Sequence, residues 1–444
     1  MFQSTGIANQ AVASERTPTA RYVDGLAVVS LTGFALAAPW SIAAAQISVG
    51  IGILALLLGL FFGRRWESPR SWPWTIRWIG LFLAVQALSI VFAGDPGHAL
   101  HSFRGSWTYS FPLVFYLLLS RDADRARRIA TVLAVSGALA GLYATYQSVT
   151  GHNPLGRKVL EYHGGLYMAP GTLGHHLTFA GVMLPVFFVA LGLAFERRSH
   201  LPRALRAGLV VAIGAGLLLC FARSGWVGVA VGLLVFSLRF GPRSVAAGAG
   251  TLAAAAALAY QFVPAIRGRM ASFDLASGPR FRLWESAWNI GLAHPLLGGG
   301  LGSWKDLFAI HRVPGEYMST AHPHNDLLNI LVETGFTGAL VWLGIWVVFF
   351  YEMRSKSSLG TGITAGVVAL LVGGIFQCFS TDEEVAQAWM FVVALGLTLR
   401  RGEEGGRGES AVPGGPARDA GPAGDGGALG LPRRRVRPEN EVAE

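Results

Sequence analysis

Apolar stretches long enough to cross a membrane recur along almost the whole chain, and they limit its fold more than any other feature. A membrane-spanning helix needs about 20 mostly apolar residues. Hydrophobic residues make up 52% of the chain, and the mean hydropathy is +0.45. The pattern predicts an all-α polytopic integral membrane protein with about 12 transmembrane helices. The predicted spans are 24–39, 41–62, 74–93, 101–119, 128–149, 172–195, 205–221, 225–239, 243–263, 326–351, 361–380 and 385–399.

The distribution of lysine and arginine predicts which way these spans face. Cytoplasmic loops are enriched in both residues. Alternate loops and the two termini together hold 26 of the 36 basic residues, with clusters such as Arg64-Arg65 and Arg197-Arg198. We therefore expect both termini in the cytoplasm of a bacterium and the chain in its inner membrane. The same clusters explain the net charge of +10, so nucleic acid is not an expected partner.

The predicted spans divide the chain into five regions. Residues 1–23 are expected to form a cytoplasmic segment, 24–263 the first nine spans, and 264–325 one large periplasmic loop. Residues 326–400 carry the last three spans. Residues 401–444 are rich in Gly, Pro, Ala and charge, and this composition predicts a disordered cytoplasmic tail.

The stretch from Ser277 to Gly338 is a long polar excursion in this apolar chain, and it gathers arginine and histidine. Six basic residues lie in the loop 264–325, against the charge bias: Arg267, Arg269, Arg280, Arg282, Lys305 and Arg312. One interpretation is a solvated basic surface, because long loops cross the membrane regardless of charge. The other is an outward-facing site for an anionic substrate.

Arg280 and Trp284 lie four residues apart after the Gly278-Pro279 pair, which predicts a chain break followed by a helix with both side chains on one face. An arginine there can bind phosphate with two parallel hydrogen bonds. Arg282 points elsewhere and is a weaker candidate. The glycine-rich turn from His294 to Gly302 ends this helix, as a phosphate loop or as a tight turn against lipid headgroups.

His322-Pro323-His324 is predicted to lie where the chain enters the membrane again, with Asn325 or Asp326 capping the next helix. Proline prevents a helix through this point, so both imidazoles are held on an extended turn. Histidine can take a proton from a hydroxyl nucleophile near neutral pH. A satisfied interfacial histidine is the plainer alternative. A metal site is not expected, because no carboxylate or cysteine completes a ligand set.

Three further positions in predicted outer connections carry charge. Arg223 lies in a very short connection between two spans, where a charge is costly unless it lines a cavity or has a partner. A substrate phosphate can be that partner. Asp382, with Glu383 and Glu384, can orient an arginine or histidine, although solvated charge is equally consistent. Arg104 has the same ambiguity.

Several of these motifs together resemble the signature of the bacterial O-antigen ligase and polymerase superfamily. The resemblance covers about residues 20–400 and is strongest from 277 to 338. The motifs are Gly171-Thr172-Leu173-Gly174, Arg223, Arg280-x-x-x-Trp284, the turn that begins at His294, His324-Asn-x-x-Leu, and Glu333-Thr-Gly-Phe-Thr-Gly.

This resemblance implies a GT-C-like glycosyltransferase of the inner membrane. Its donor would be a glycan on undecaprenyl pyrophosphate, and its acceptor a sugar hydroxyl of lipid A core. The reaction would be inverting, independent of metal and cofactor, and on the periplasmic side. Residue by residue, Arg223 and Arg280 would bind the pyrophosphate, and His324 would activate the acceptor. Supporting roles beside these three residues are expected for His322, Arg282, Trp284, Asn325 and Asp382.

Two kinds of alternative remain open. A repeat-unit polymerase, with a growing glycan as acceptor, or a protein O-oligosaccharyltransferase would share the donor and the signature. We favour a ligase because the loop signature is compact and no added protein-binding domain is visible. A transporter of anionic lipid-linked glycans would bind its cargo without reaction, but no inverted repeat with paired broken spans is evident.

Overall fold

The computed structural model describes residues 18–120, 122–156, 158–197, 201–271, 273–317, 319–355 and 357–409. Its α-helices are α1 (Pro18–Ala37), α2 (Ile42–Phe61), α3 (Trp74–Val91), α4 (Pro96–Phe103), α5 (Phe111–Leu119), α6 (Ala123–Thr150), α7 (His176–Ala194), α8 (Arg203–Leu219), α9 (Arg223–Ser237), α10 (Pro242–Phe262), α11 (Pro264–Ala271), α12 (Phe273–Ala293), α13 (Trp304–His311), α14 (Asp326–Glu352), α15 (Ser358–Gly374) and α16 (Glu383–Glu409). Short 3-10 helices span Pro69–Ser71, Arg104–Ser110 and Leu238–Phe240. Strands β1 (Tyr162–His163) and β2 (Leu166–Tyr167) pair antiparallel.

The predicted fold class is confirmed, and every predicted span falls on helical structure. Within the described ranges, eight helices are long and apolar enough to cross a membrane: α1, α2, α3, α6, α7, α9 with its 3-10 extension, α10 and α14. Helix α15 is apolar but shorter. The remaining predicted spans fall on α5, α8 and α16.

The fourth predicted span, 101–119, was wrong as one continuous helix. The 3-10 segment Arg104–Ser110 separates α4 from α5. Inside it, the Thr108 hydroxyl donates to the Gly105 carbonyl at 3.3 Å, and the Ser110 hydroxyl donates to the Trp107 carbonyl at 2.6 Å. Such local bonds from short polar side chains compete with the regular helical ladder. The tighter turn follows from these residues, which hydropathy alone does not reveal.

Helices extend across several of the predicted region boundaries. Helix α1 begins at Pro18, inside the predicted segment 1–23, whose first 17 residues lie outside the described residues. The loop 264–325 contains α11, α12 and α13. Helix α16 continues to Glu409, nine residues into the predicted tail 401–444, of which 410–444 lie outside the described residues. An Arg400–Glu404 ion pair of 3.1 Å, one helical turn apart, supports this extension.

Helix α7 lies at the centre of the bundle, and α10 lies at its edge. In its most apolar window, 83% of α7 is buried, and the helix packs against α6, α8, α9, α15 and α16. None of the corresponding window of α10 is buried, and this helix packs on α9 and α11. In a membrane protein an exposed apolar helix of this kind faces lipid.

Helix α14 is kinked at Gly335, and the glycine turn after α12 packs into the kink. The Phe336 N–H donates to the Pro295 carbonyl at 2.8 Å. Gly335 has φ 65°, and a Cβ there would lie 2.6 Å from the Leu296 carbonyl carbon. Gly298 has φ 68° and lies equally close to the backbone of α14. The turn thus packs closely against the backbone of α14.

Candidate active site

Several helix ends meet at one end of the bundle, which we call the site end. Helices α7, α9, α14 and α16 begin there, and α15 ends there. The opposite end carries the Asp24–Arg64 and Asp122–Arg125 ion pairs. The predicted site residues Arg223, His324 and Asp382 therefore reach one region, although they are far apart in sequence. Helix starts also present free N–H groups and a partial positive charge, which favour anions.

Three arginines, Arg223, Arg269 and Arg280, form what we call the arginine cluster. Arg223 begins α9, and its electrostatic environment includes the charges of both other arginines. Arg269 lies on α11 and Arg280 on α12. Burial and the charge of Arg269 lower the pKa of the Arg280 guanidinium. Three cations held this close repel one another, so an anion between them would be stabilised by all three.

The backbone holds Arg223 and Arg269 together. Arg223 Nη1 donates to the Arg269 carbonyl at 3.4 Å, and Arg269 Nε donates to the Phe221 carbonyl at 3.1 Å. Phe221 has φ 52°, a left-handed conformation that is unusual for a bulky residue. Burial lowers the pKa of Arg269, and the Glu161 carboxylate opposes that shift. This pair of hydrogen bonds joins the connection before α9 to α11.

Helix α12 places Arg280 differently from the sequence prediction. The pair Gly278-Pro279 was expected to break the chain, but α12 runs through both residues, with Pro279 inside it. Pro279 is the seventh residue of α12, past the first turn, so its missing N–H removes one hydrogen bond of the helix. Arg280 and Trp284 remain one turn apart. The Trp284 ring lies 6.2 Å from Phe376, and its indole N–H has no hydrogen-bond partner among the described residues.

The segment from Ala321 to Asn325, which we call the histidine turn, leads into α14. Asn325 caps α14 as predicted, because its Oδ1 accepts from the Leu328 N–H at 3.0 Å. Its amide Nδ2 also donates to the Ile375 carbonyl at 3.1 Å. His324 has φ 52°, and its N–H donates to His322 Nδ1 at 3.2 Å. The turn therefore holds both imidazoles in fixed positions.

His324 Nδ1 lies 3.1 Å from Gln377 Oε1. A carbonyl oxygen can only accept, so this contact places the imidazole proton on Nδ1 and leaves Nε2 with a lone pair. Burial lowers the pKa of His324, the Gln377 bond raises it, and the charge of Arg280 lowers it further. The net shift is downward. At neutral pH the ring is then neutral, which is the state a general base requires.

His322 lies beside His324, and His175 lies near His322. The His322 and His324 ring centroids are 4.1 Å apart. Burial and the charges of His324 and His175 lower the pKa of His322 to about 4. Burial and Lys158 lower the pKa of His175, the cap of α7, and Asp382 opposes this. These imidazoles are neutral at neutral pH, so they supply hydrogen bonds rather than charge.

The segment between α15 and α16 connects the site end to the core. Gln377 contacts His324, as described, and Ser380 donates through its N–H and its hydroxyl to Asp326 Oδ1 at 2.7 and 2.5 Å. Asp382 accepts from the Thr178 hydroxyl at 2.6 Å. Asp382 therefore contacts α7 and influences His175, whereas the sequence left its partner open between an arginine and a histidine.

Arg282 lies away from the arginine cluster. Its Nη1 donates to the Glu316 carbonyl at 3.2 Å. Arg104 is exposed at the start of the 3-10 segment after α4. It lines a cavity that does not include the arginine cluster. The sequence did not predict a binding role for Arg269 or any role for Gln377. The signal for Arg269 was its place among the six basic residues of the loop, and an uncharged glutamine gives no such signal.

This chain resembles a solved structure and a family model. One chain from a solved structure, described as the structural coordination of polymerization and crosslinking by a peptidoglycan synthase complex, is 18% identical to this chain, with a TM-score of 0.42. The similarity covers 74% of this chain and 98% of that chain. No curated protein sequence matches. A family model described as O-antigen ligase matches residues 207–343, a range that contains the arginine cluster and the histidine turn.

Proposed function

We propose that this chain, whose residues 207–343 match the O-antigen ligase family model, belongs to that superfamily and moves a glycan from undecaprenyl pyrophosphate to a sugar hydroxyl of lipid A core. The family match supports glycan transfer of the ligase or polymerase type. The observation that carries the proposal is the pairing of three half-buried arginines with a neutral histidine at one end of a membrane bundle.

In the proposed reaction, the acceptor hydroxyl loses its proton to His324 Nε2. Its oxygen attacks the anomeric carbon of the donor sugar, and the bond from that carbon to the pyrophosphate oxygen breaks. Undecaprenyl pyrophosphate leaves with the electron pair. A single displacement inverts the anomeric configuration and needs no carboxylate nucleophile. Arg223 and Arg280, joined by Arg269, would stabilise the charge that develops on the leaving oxygen.

Gln377 would act as a positioning residue in this reaction. Its amide oxygen fixes the tautomer of His324 through the 3.1 Å contact with Nδ1. Trp284 lies one turn after Arg280 and would help to place that helix face. The site is proposed to face the periplasm of an inner-membrane protein with cytoplasmic termini, because basic residues such as Arg64 and Arg125 lie at the opposite end.

The proposal is tested by product identity. The purified protein in liposomes receives a lipid-linked glycan together with lipid A core and free repeat units, side by side. A glycosylated lipid A core supports the ligase, whereas a lengthened lipid-linked glycan identifies a polymerase. Binding of the donor with no product from any acceptor would contradict an enzyme and favour a transporter.

A further inference from the structure

A polar cavity lies near the histidine turn, and the proposed reaction does not use it. The cavity has a volume of about 430 Å³, within the roughly 300–1,000 Å³ of small-molecule sites. Helices α3, α4, α14 and α16, the 3-10 segment after α4 and the glycine turn border it. Its polar side chains are Gln86, His101, Ser102, Arg104, Ser106, Tyr109, Glu333, Ser380, Thr381 and Glu383.

Its charges differ from those of the arginine cluster. Arg104 and two acidic residues, Glu333 and Glu383, all line the cavity. Two acidic groups disfavour a pyrophosphate, since like charges repel. Hydroxyl groups instead donate to carboxylates and accept from guanidinium groups, and every sugar carries several hydroxyls. The lining therefore favours a sugar over a phosphate.

Among the described residues, one oxygen atom of a lining side chain lacks a hydrogen-bond partner. Gln86 on α3 is 5% exposed, and its amide Oε1 has no hydrogen-bond partner among the described residues. A buried polar atom without a partner is costly. Rotation of the Gln86 amide toward the cavity would let a ligand hydroxyl donate to Oε1. Glu383 already accepts from Gln46 Nε2 at 3.2 Å, which fixes its carboxylate at the edge of the cavity.

The cavity is joined to the proposed base by a short connection. Ser380 lines the cavity and is bonded to Asp326, two residues after His324. Gln377, which contacts His324, precedes Ser380 by three residues, a reach of at most roughly 11 Å. A sugar bound in the cavity would therefore lie within one or two sugar units of the imidazole.

We infer that this cavity binds a sugar unit of the acceptor and presents the acceptor hydroxyl to His324. The inference rests on the proposed function and deepens it by assigning the acceptor side of the site. Gln86 and Arg104 would be specificity-determining residues. Donor and acceptor would then occupy separate places, the arginine cluster for the pyrophosphate and the polar cavity for the acceptor sugar.

The test measures initial rates in liposomes with each substrate varied in turn, using whichever acceptor the wild-type protein glycosylates. Gln86→Leu removes the unpartnered amide, and Arg104→Gln removes the exposed guanidinium. Each is expected to raise the KM for the acceptor roughly 2- to 10-fold, the range of one hydrogen bond. The KM for the donor and kcat at saturating acceptor should stay within about twofold.

Matched controls come from the same chain. Gln387→Leu removes a buried glutamine amide that does not line the cavity, and Arg312→Gln removes an exposed arginine elsewhere. Both should leave both KM values unchanged. If Gln86→Leu elutes as an aggregate, the test relies on Arg104→Gln, because Arg104 is exposed. If the wild-type protein transfers glycan, the inference is overturned when folded Gln86→Leu and Arg104→Gln variants show an unchanged KM for the acceptor. A raised KM for the donor in these variants would also overturn it. Absence of wild-type transfer would instead contradict the proposed function.

Discussion

The arginine cluster and the histidine turn lie at the same end of the bundle, but they are built on opposite principles. The arginine cluster concentrates charge, with Arg223 and Arg269 tied to backbone carbonyls at 3.4 and 3.1 Å. The histidine turn lacks that charge, since burial lowers the pKa of His322 and His324. Its imidazoles are held by neutral hydrogen bonds and a capped helix start.

This difference separates two chemical tasks. Binding a pyrophosphate requires cations that stay charged while partly buried, which arginine provides. Taking a proton requires a group that is neutral before the reaction, which a histidine with a lowered pKa provides. The charge of Arg280 lowers the pKa of His324. An arginine that binds pyrophosphate therefore also helps to keep the base neutral.

The strongest test of the comparison is His324→Ala. We expect kcat to fall roughly 10²- to 10⁴-fold, because general-base catalysis is lost. Donor binding should stay within about twofold, since the arginine cluster is intact. Single-turnover transfer and equilibrium binding of the lipid-linked glycan give the two values. Full turnover by this variant would remove the histidine turn from the chemistry.

Arg280→Ala and Arg223→Ala should affect binding and turnover together. A charge-assisted hydrogen bond contributes about 1.5–3 kcal/mol, so the donor Kd should rise roughly 10- to 150-fold and kcat should also fall. The exposed Arg312→Ala is the matched control. A variant at either position that lost kcat alone would show that the arginine acts in the chemical step only.

Arg269 allows charge and geometry to be distinguished. Arg269→Lys keeps a cation but loses the Nε bond to the Phe221 carbonyl, and Arg269→Gln loses both. If charge dominates, only the glutamine variant should raise the donor KM, by roughly 10-fold. Equal losses in the two variants would point instead to the backbone tie. Steady-state kinetics with the donor varied separates these outcomes.

Gln377→Leu should change the pH dependence. A base must be neutral, so wild-type activity should fall as pH drops through the His324 pKa, which lies below 6.5. The Gln377 bond raises that pKa. Its loss should therefore move the acid limb of kcat/KM to lower pH and reduce kcat about 10-fold, because the tautomer is no longer fixed. Gln387→Leu is the control, and an acid limb displaced upward would contradict this role.

Treatment with a chelator should have the smallest effect. The sequence predicts metal independence because no carboxylate or cysteine completes a ligand set, and arginines can neutralise the leaving pyrophosphate. Activity is therefore expected to stay within about twofold of the untreated protein. Transfer assays with and without chelator measure it. Loss that one divalent metal restores would mean that the arginine cluster is insufficient.

Much of the fold followed from apolar runs, because lipid requires long apolar segments. The break at Arg104–Ser110 did not, since short hydroxyl side chains cause it without lowering hydropathy much. In the site, Arg223 and Arg280 stood out because charge is rare in such a chain. Arg269 and Gln377 did not stand out individually, because their importance comes from neighbours that only the folded chain supplies.

The backbone of His324 has a consequence for every experiment on that residue. Its φ of 52° is a conformation that asparagine, aspartate and histidine adopt more readily than most other residues. Replacement by alanine therefore removes an imidazole and also loosens the start of α14. His324→Asn would retain the left-handed corner and delete only the titrating ring. The difference in activity between the two variants would then measure how much of the histidine requirement is conformational.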